Sequence, residues 1–505
     1  MWFFKPSGSK IISKESILGP DVEAGNPPTR PVMNATYTDE AKVDPNIVHW
    51  DGPDDPMNPR NWSTTKKVVN IGLVSVLCFL TPVASAMFAP GVPKLMEEFH
   101  STNQQLGTFV VSVFVLGFAC GPMILAPLSE IYGRLPIYHT MNVLFIVFTI
   151  ACAESKNFSM LITFRFFAGA TGSAPLANGG GTISDLVAQE KRGVAMSLFG
   201  IGPLLGPVIG PVAGGYLAQA AGWRWVFWVI TIAMGILTIS MFLFAEETYG
   251  KIILERKAAK LRRETGNLAI KSSLHAGISS KEVFKRALVR PLKLLLFSPI
   301  VLALSIFQGL CFGCLYLLFT TFSRVFTEVY HWDTGTDGLS FLGLGTGLGL
   351  ALIVFGSVSD RILKAKAGTG ELKPEYRLFP MMPATIFISA GLFWYGWSVK
   401  AKTHWIVPIL GTVFVGFGYL PIILSTQTYL VDAYEEFSAS ALAASTILRS
   451  MMGALLPLAG TKMYQTLGYG WGNSLLAFIT LGMLPFPWLF YTRGEKLRKS
   501  AKLTL

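Results

Sequence analysis

The chain has 505 residues, of which 51% are hydrophobic and only 14% are charged, and its formal net charge is +12. Soluble domains usually carry about 25% charged residues, so most of this chain lacks the polar surface that a soluble domain needs. The composition excludes a set of soluble domains and favours a helical membrane protein with many spans. Five cysteines, all in apolar runs, also exclude a disulfide-stapled secreted protein.

The N-terminal segment, residues 1–66, is polar and rich in proline. Its apolar start, residues 1–4, is too short for a signal peptide. Mixed charge and clustered prolines predict a cytoplasmic segment that is largely disordered, with local order near Trp50 and Trp62.

Twelve long apolar runs follow, separated by short charged loops, and a run of about 20 such residues can cross a bilayer as a helix. The predicted spans are 68–89, 106–127, 136–153, 158–182, 194–218, 224–245, 298–322, 338–358, 378–398, 405–431, 440–463 and 472–491. We therefore predict an all-α membrane protein with twelve transmembrane helices. Its predicted parts are an N-terminal six-helix bundle at 67–245, a central loop at 246–297, a C-terminal six-helix bundle at 298–491 and a basic tail at 492–505.

Basic residues are concentrated before the first span, in the central loop, after the eighth span and after the last. If successive spans alternate in direction, all these regions lie on one side of the membrane. The positive-inside rule then places both termini and the central loop in the cytoplasm. Topology and anionic lipid account for the positive charge, so we expect membrane lipid and no nucleic acid as a partner.

The two halves of the chain repeat some charged positions. A Ser–acid pair ends the second span at Glu130 and the eighth at Asp360, and Asp185 after the fourth span corresponds to Asp432 after the tenth. A repeat of six plus six spans predicts two pseudo-symmetric bundles with a cavity between them near the bilayer midplane. That arrangement permits alternating access.

The end of the second span reads Gly121-Pro-Met-Ile-Leu-Ala-Pro-Leu-Ser-Glu-Ile-Tyr-Gly-Arg134. It resembles motif A of the major facilitator superfamily, in the form found in fungal twelve-helix drug:proton antiporters. Gly133 permits a tight turn, and Glu130 and Arg134 can pair across it or cap a neighbouring helix end. The resemblance implies a gate in which these residues work with Asp185. The second half would contribute Asp360, Arg361 and Asp432.

Arg165 lies inside the fourth span, in a sequence that resembles motif B of the same superfamily. An arginine within an apolar helix costs at least about 2.5 kcal/mol unless it faces a wet or paired interior. We therefore predict that Arg165 contributes to the cavity.

The fifth span contains three Gly-Pro pairs and a Gly-Gly pair, and it resembles motif C, the antiporter signature of the family. Glycines spaced four apart let another helix approach closely, and the prolines bend the helix. The resemblance therefore points to export. The residues are Gly202, Pro203, Gly206, Pro207, Gly210, Pro211, Gly214 and Gly215.

No Asp or Glu lies in the interior of any predicted span. A cationic substrate would need a carboxylate in the cavity, so this pattern favours neutral or weakly acidic amphiphiles over polyamines. A mostly apolar and aromatic wall with few polar groups suits such molecules. The candidate substrate-binding residues are Arg165, Asn178, Gln308, Tyr316, Gln427 and Arg449.

Matching fragments extend the resemblance over residues 50–490. It implies a proton-coupled exporter of drugs, toxins or secondary metabolites, working as a monomer in the plasma membrane. One alternative is an organic-anion exporter that uses the two intramembrane arginines; others are a polyamine exporter and a non-transporting sensor. The chain has no Walker motif and only scattered histidines, so we expect no enzymatic activity, cofactor or metal site.

Overall fold

The computed structural model describes residues 46–188, 192–274, 280–367, 373–434 and 437–500. Within this part, ten helical stretches are long and apolar enough to cross a membrane. The fourth predicted run is broken at Ser173 into two shorter helices, and the last two runs form one stretch, Ser438–Lys496. The count of twelve crossings therefore stays a prediction.

The first half of the chain forms eight helices. Side chains start several of them: Ser63 caps α1 by accepting from the Lys66 N–H, and Asn157 caps α5 by accepting from the Met160 N–H at 2.8 Å. Gly133, with φ of 103°, separates α3 from α4. The helices are α1 Thr64–Ala86, α2 Val92–Glu98, α3 Gln104–Tyr132, α4 Arg134–Ala153, α5 Phe158–Gly172, α6 Ala174–Leu186, α7 Arg192–Ala221 and α8 Arg224–Phe244.

The second half begins after two helices of the central loop. Its longest helix, α16, contains a kink at Gly468, where φ is 70°, and this kink separates the eleventh and twelfth predicted runs. The helices are α9 Gly250–Thr265, α10 Ser280–Phe297, α11 Pro299–Tyr330, α12 Thr334–Asp337, α13 Phe341–Ala367, α14 Met381–Lys400, α15 Ile406–Ala433, α16 Ser438–Gly482 and α17 Pro485–Ser500.

The helical bundle has a basic end and a distal end. The basic end carries Arg134, Arg377 and the central-loop helices α9 and α10, and the distal end carries α2 and the short helix α12. A hydrophobic core runs through both halves. The halves meet where α7 packs on α12 and α13 and where α3 packs on α16.

The segment that precedes α1 is held at the basic end by the central loop. Strand β1, Ile47–Val48, pairs in parallel with β2, Lys271–Ser272. The buried Asp55 carboxylate accepts from the backbone N–H groups of Asp51 and Met57, both at 2.8 Å. Burial opposes ionisation of Asp55, but these bonds and the nearby Lys257 prevail and lower its pKa.

The two tryptophans of this segment are also ordered. Trp50 lies against Gly250 at the start of α9, and Trp62 is buried in a small cluster with Ile71 and Ile183. Order near these tryptophans agrees with the sequence analysis. Residues 1–45 lie outside the described part of the chain.

Candidate functional site

An aromatic cluster lies beside the contact between the two halves. Phe312 and Tyr316 are one helical turn apart on α11, with ring centroids 4.7 Å apart, and Tyr419 of α15 stacks on Phe312 at 6.1 Å. The Arg449 guanidinium of α16 lies over the Phe312 ring at 4.9 Å from its centroid. A cation over an aromatic face is stabilised by the ring quadrupole.

Arg449 retains hydrogen-bonding capacity in this cluster. Its Nε atom is buried and has no hydrogen-bond partner. Among the described residues, no carboxylate lies within 4 Å of its guanidinium nitrogens. The cluster therefore offers flat apolar faces together with one positive donor that a bound molecule can use.

Tyr316 of the second half connects this cluster to the first half. Its hydroxyl pairs with that of Ser85 on α1 at 3.3 Å, which joins the two halves. Gln308 instead bonds within the second half, where its Oε1 accepts from the Ser445 hydroxyl at 2.7 Å. Gln427 is half-buried on α15. Of the predicted binding residues, Tyr316 and Arg449 are thus brought together, and Ser85 is one that sequence reasoning missed.

Arg165 is enclosed within the first half and is only 1% exposed. Its Nε donates to the Val110 carbonyl at 2.6 Å and its Nη2 to the Ser85 carbonyl at 3.0 Å. The guanidinium also lies 5.2 Å from the ring centroid of Phe114. The Ser85 carbonyl belongs to the last turn of α1, where helical carbonyls lack intrahelical partners. These contacts join helices of the first half, and Arg165 borders the aromatic cluster through Ser85, whose hydroxyl pairs with that of Tyr316.

Asn178 also lies within the first half. It is fully buried, and its Oδ1 accepts from the Ser129 hydroxyl at 2.9 Å. Ser129 accepts in turn from Arg134 Nη1 at 2.6 Å. Asn178 therefore supports the turn between α3 and α4 and does not face the cluster.

Around Arg134, the basic end differs in part from the predicted gate. Arg134 and Asp185 form an ion pair, with Nε and Oδ2 3.5 Å apart. Glu130 is exposed, and within the described residues it makes no ion pair with Arg134, so the expected pairing across the turn is wrong in this structure. The reason is that Glu130 lies on the exposed side of the last turn of α3, whereas the half-buried Arg134 side chain contacts Ser129 and Asp185.

Glu247, which follows α8, takes a position that the sequence did not indicate. Its carboxylate accepts from the backbone N–H groups of Arg134 at 3.0 Å and Leu135 at 3.2 Å. A carboxylate at a helix N-terminus satisfies free donors and complements the helix dipole. Gly133 is required here because a Cβ would collide with this carboxylate.

A similar pair lies in the second half, but with a different base. Arg377, just before α14, donates from Nε to Asp432 Oδ2 at 3.1 Å. Arg361 is exposed, and the Asp360 side chain lies outside the described part of the chain. Asp432 thus matches Asp185 as predicted, and its partner is Arg377, which is not among the predicted gate residues.

The Gly-Pro helix α7 packs closely on α1 of the same half. A Cβ added at Gly206 would lie 2.8 Å from Pro82 Cβ, and one added at Gly210 would lie 3.0 Å from the Val83 carbonyl oxygen. Gly202 and Gly214 face the same helix. This glycine face is the smooth surface that the spacing predicted.

A cavity of about 240 Å³ lies at the distal end, between α2 and α3 of the first half and α11 and α16 of the second. Hydroxyl groups line much of it. They belong to Thr108, Thr320, Thr321, Ser323, Thr327 and Thr461.

Asp337 lies next to this cavity. The sequence analysis expected no Asp or Glu in the interior of a span, and Asp337 departs from that expectation. The helical stretch that corresponds to the eighth predicted run starts at Thr334, four residues before the predicted start at 338, so that Asp337 falls inside it. Its side chain is 1% exposed. The short helix α12 folds this residue inward, a feature that the apolar run alone does not show.

Comparison with known proteins agrees with this architecture. The family model of the Major Facilitator Superfamily matches residues 74–457. The chain is 54% identical to the MFS-type transporter tndD of Aspergillus flavipes, over 96% of this chain and 93% of that protein. It is 50% identical to the efflux pump radE of Floropilus chiversii, over 91% of this chain and 86% of the relative.

Solved structures share the fold at low sequence identity. A partially occluded, inward-open form of the xylose transporter XylE from E. coli matches with a TM-score of 0.64 and 15% identity, covering 85% of this chain and 98% of that chain. The human organic anion transporter MFSD10 matches with a TM-score of 0.59 and 16% identity, covering 83% and 99%. With its helical fold and relatives that are transporters over nearly their full length, this chain belongs to the Major Facilitator Superfamily.

Proposed function

We propose that the protein is a proton-coupled exporter of hydrophobic or amphipathic small molecules that works by alternating access. The observation that carries this proposal is the aromatic cluster of Phe312, Tyr316 and Tyr419 where α11 meets the first half. Such walls bind flat apolar molecules mainly by excluding water, and a few polar groups orient them. A relative that is named an efflux pump supports the outward direction.

Arg449, which has no ion-pair partner among the described residues, bears on the chemical class of the substrate. Polyamines and permanent cations would meet Arg449 with like charge, whereas a carboxylate or phenolate would find its free Nε. This observation favours neutral and weakly acidic aromatic compounds, including drugs, toxins and secondary metabolites. Export of organic anions is the second candidate, and Arg449 is the residue that would serve it.

The remaining predictions on coupling and location belong to the same proposal. The pairs Arg134–Asp185 and Arg377–Asp432 would hold the basic ends of the two halves in shape during the cycle. The basic end would face the cytoplasm, as the distribution of Lys and Arg indicates, and the protein would lie in the plasma membrane as a monomer.

Dye efflux from yeast cells that lack their own drug pumps tests the proposal. Cells that express the chain are loaded with Nile red, a neutral apolar dye, or with carboxyfluorescein, an anion. We expect faster efflux than in cells with an empty vector, and loss of the difference when a protonophore collapses the gradient. Efflux that survives the protonophore contradicts proton coupling, and equal efflux with and without the chain contradicts export.

The substitution Arg449→Ala separates the two substrate classes. We expect carboxyfluorescein efflux to fall by about tenfold or more, because one charge-assisted hydrogen bond contributes about 1.5–3 kcal/mol. Nile red efflux should change little. Lys462→Ala is the control, because Lys462 is an exposed cation on the same helix. An equal loss for both dyes would show that Arg449 does not select anions.

A further inference from the structure

Helices of the two halves touch at the distal end, through the start of α12 and the end of α7. A Cβ added at Gly215 would lie 2.6 Å from the Thr334 carbonyl oxygen. Gln219 of α7 donates from Nε2 to Asp333 Oδ2 at 3.0 Å. The contact between residues 211–219 and residues 333–340 is called the distal seam below.

The seam does not continue along the whole length of these helices. At Gly338 a Cβ would collide with the Pro211 carbonyl. At Gly200 and Gly349, nearer the basic end, a Cβ would meet no atom within 4 Å. The close contact continues to Gly345, where a Cβ would collide with Val208 Cγ1, and is absent at Gly349. Opening the distal end therefore requires the seam to part.

Asp337 lies on this seam as a buried acid without a cation. It is 1% exposed, and its Oδ1 has no hydrogen-bond partner. Ser323 of α11 lies beside the carboxylate. Among the described residues, no Lys, Arg or His nitrogen lies within 4 Å of it.

The other titratable groups near the segment do not change this conclusion. Arg324 of α11 is paired with Glu328 at 2.8 Å. Among the described residues, the first half contributes Tyr216 of α7 and Lys94 of α2, whose ammonium donates to the Ala218 carbonyl at 2.8 Å. The short helix itself contributes Asp333, which is exposed. Tyrosine side chains complete the surroundings on α11 and α14, at Tyr330 and Tyr395.

Because Asp337 is buried without a nearby cation, the ionisation of its carboxylate depends on whether the seam is closed or open. An ionised carboxylate kept from water and from cations costs several kcal/mol, whereas a neutral acid in the same place costs far less. When the seam parts, water reaches the carboxylate and the charged form is no longer penalised. Closing the seam therefore favours uptake of a proton.

We propose that Asp337 is the proton-binding site at which the coupled proton enters the transport cycle from the distal side. The proton forms an O–H bond on the carboxylate while the seam is open, and the neutral acid is then buried as the seam closes. Ser323, which lies beside Asp337, also lines the distal cavity, so water there gives the proton its route. This inference rests on the proton-coupled export proposed above.

The test measures the distal seam directly and needs neither a substrate nor a gradient. Nitroxide labels are placed at Ala220→Cys on α7 and Ala401→Cys after α14, two exposed positions at the distal end of opposite halves. Cys120, the exposed native cysteine, is replaced by serine. Double electron–electron resonance then gives the distance between the labels in lipid nanodiscs at pH 5 and pH 8.

We expect the distance distribution of the wild-type chain to shift toward longer values at pH 8. Asp337→Asn, which is permanently neutral, should show the short distance at both pH values, and Asp337→Glu should restore the shift. Glu154→Gln is the control, because Glu154 is an exposed acid at the distal end of α4 and lies outside the seam, and this variant should behave like the wild type. An unchanged wild-type distance, or an Asp337→Asn variant that still responds to pH, overturns the proposal.

Failure of this inference and failure of the proposed function are distinguishable. If Asp337→Asn abolishes the pH response of the seam while dye efflux by the wild type does not depend on the gradient, export is uncoupled and the proton site is a regulator. If dye efflux depends on the gradient but Asp337→Asn leaves the seam responsive, another residue carries the proton and this inference is wrong.

Discussion

Two arginines within apolar helices have opposite surroundings in this protein. Arg165 donates to two backbone carbonyls and lies near three aromatic rings, so its hydrogen-bonding capacity is largely used within its own half. Arg449 lies over one ring and keeps a buried Nε without a partner. A bound molecule can therefore gain a charge-assisted hydrogen bond at the Arg449 Nε, which has no partner to displace. At Arg165 it would have to displace the helix backbone.

This difference predicts a stability phenotype for Arg165. In Arg165→Ala, the Val110 and Ser85 carbonyls lose their buried donors, and we expect a loss on the order of 3 kcal/mol in the free energy of unfolding. Arg165→Lys should lose part of this, because one ammonium cannot reproduce the planar fork. Thermal unfolding in detergent, followed by tryptophan fluorescence, gives the measurement. Arg449→Ala is the comparison, and equal unfolding temperatures for the two alanine variants would contradict the assignment.

The sequence pattern predicts the acids of the basic end better than their partners. Asp185 and Asp432 follow corresponding runs, and both form ion pairs. The base paired with Asp432 is Arg377, which lies just before α14, and Arg134 is the first residue of α4. Arg361 is among the predicted gate residues because it adjoins Asp360, whereas Arg377 is not among them. The Arg165 contacts could not be predicted for a different reason, because their acceptors are backbone carbonyls 55 and 80 residues away in the sequence.

At the scale of elements, the glycines of helix α7 make two contacts, one with α1 and one with α12. Its glycines at 202, 206, 210 and 214 face α1, and its distal end meets α12 at Gly215. Small residues let helix backbones approach in an environment where no hydrophobic force drives helices together. The same helix therefore fixes the interior of the first half and forms one side of the distal seam.

The α1 contact predicts different outcomes for two glycine substitutions on α7. In Gly206→Ala, the new Cβ would lie 2.8 Å from Pro82 Cβ and 3.0 Å from the Val83 nitrogen, which forces the helices apart at a cost of about 1–3 kcal/mol. In Gly200→Ala, the Cβ meets no atom within 4 Å, and alanine favours the helix by up to about 1 kcal/mol. Unfolding temperatures should fall for the first and hold or rise for the second. A lower value for Gly200→Ala would refute the reading of this face.

Long uncharged runs predict helices well because a bilayer leaves the backbone few other ways to satisfy its hydrogen bonds. Breaks within the runs are harder to predict. The fourth run breaks at Ser173. Pro175 lies in the first turn of the next helix and disfavours helical geometry just before it. The start of α12 was missed because Thr334–Asp337 is polar, and its burial depends on α7 from the other half.

At the scale of the whole molecule, the hydrogen bonds that join the two bundles among the described residues are neutral or exposed, whereas two partly buried ion pairs lie each within one bundle. Tyr316 bonds to Ser85 and Thr461 to Thr108, while Gln219 bonds to the exposed Asp333. The pairs Arg134–Asp185 and Arg377–Asp432 each stay inside one half. Weak contacts between rigid halves suit a protein that must exchange two conformations of similar free energy.

The Thr108–Thr461 bond, at 3.3 Å between hydroxyl oxygens, tests that interpretation. Thr461→Val keeps the shape and removes a bond worth about 1 kcal/mol, so the ratio of distal-open to distal-closed molecules should rise about fivefold. Thr466→Val is the control, because that hydroxyl bonds only within α16 to Lys462 and Met463. Labels at Ala220→Cys and Ala401→Cys report the ratio. Identical distance distributions for the two valine variants would mean that packing, and not this bond, holds the distal end closed.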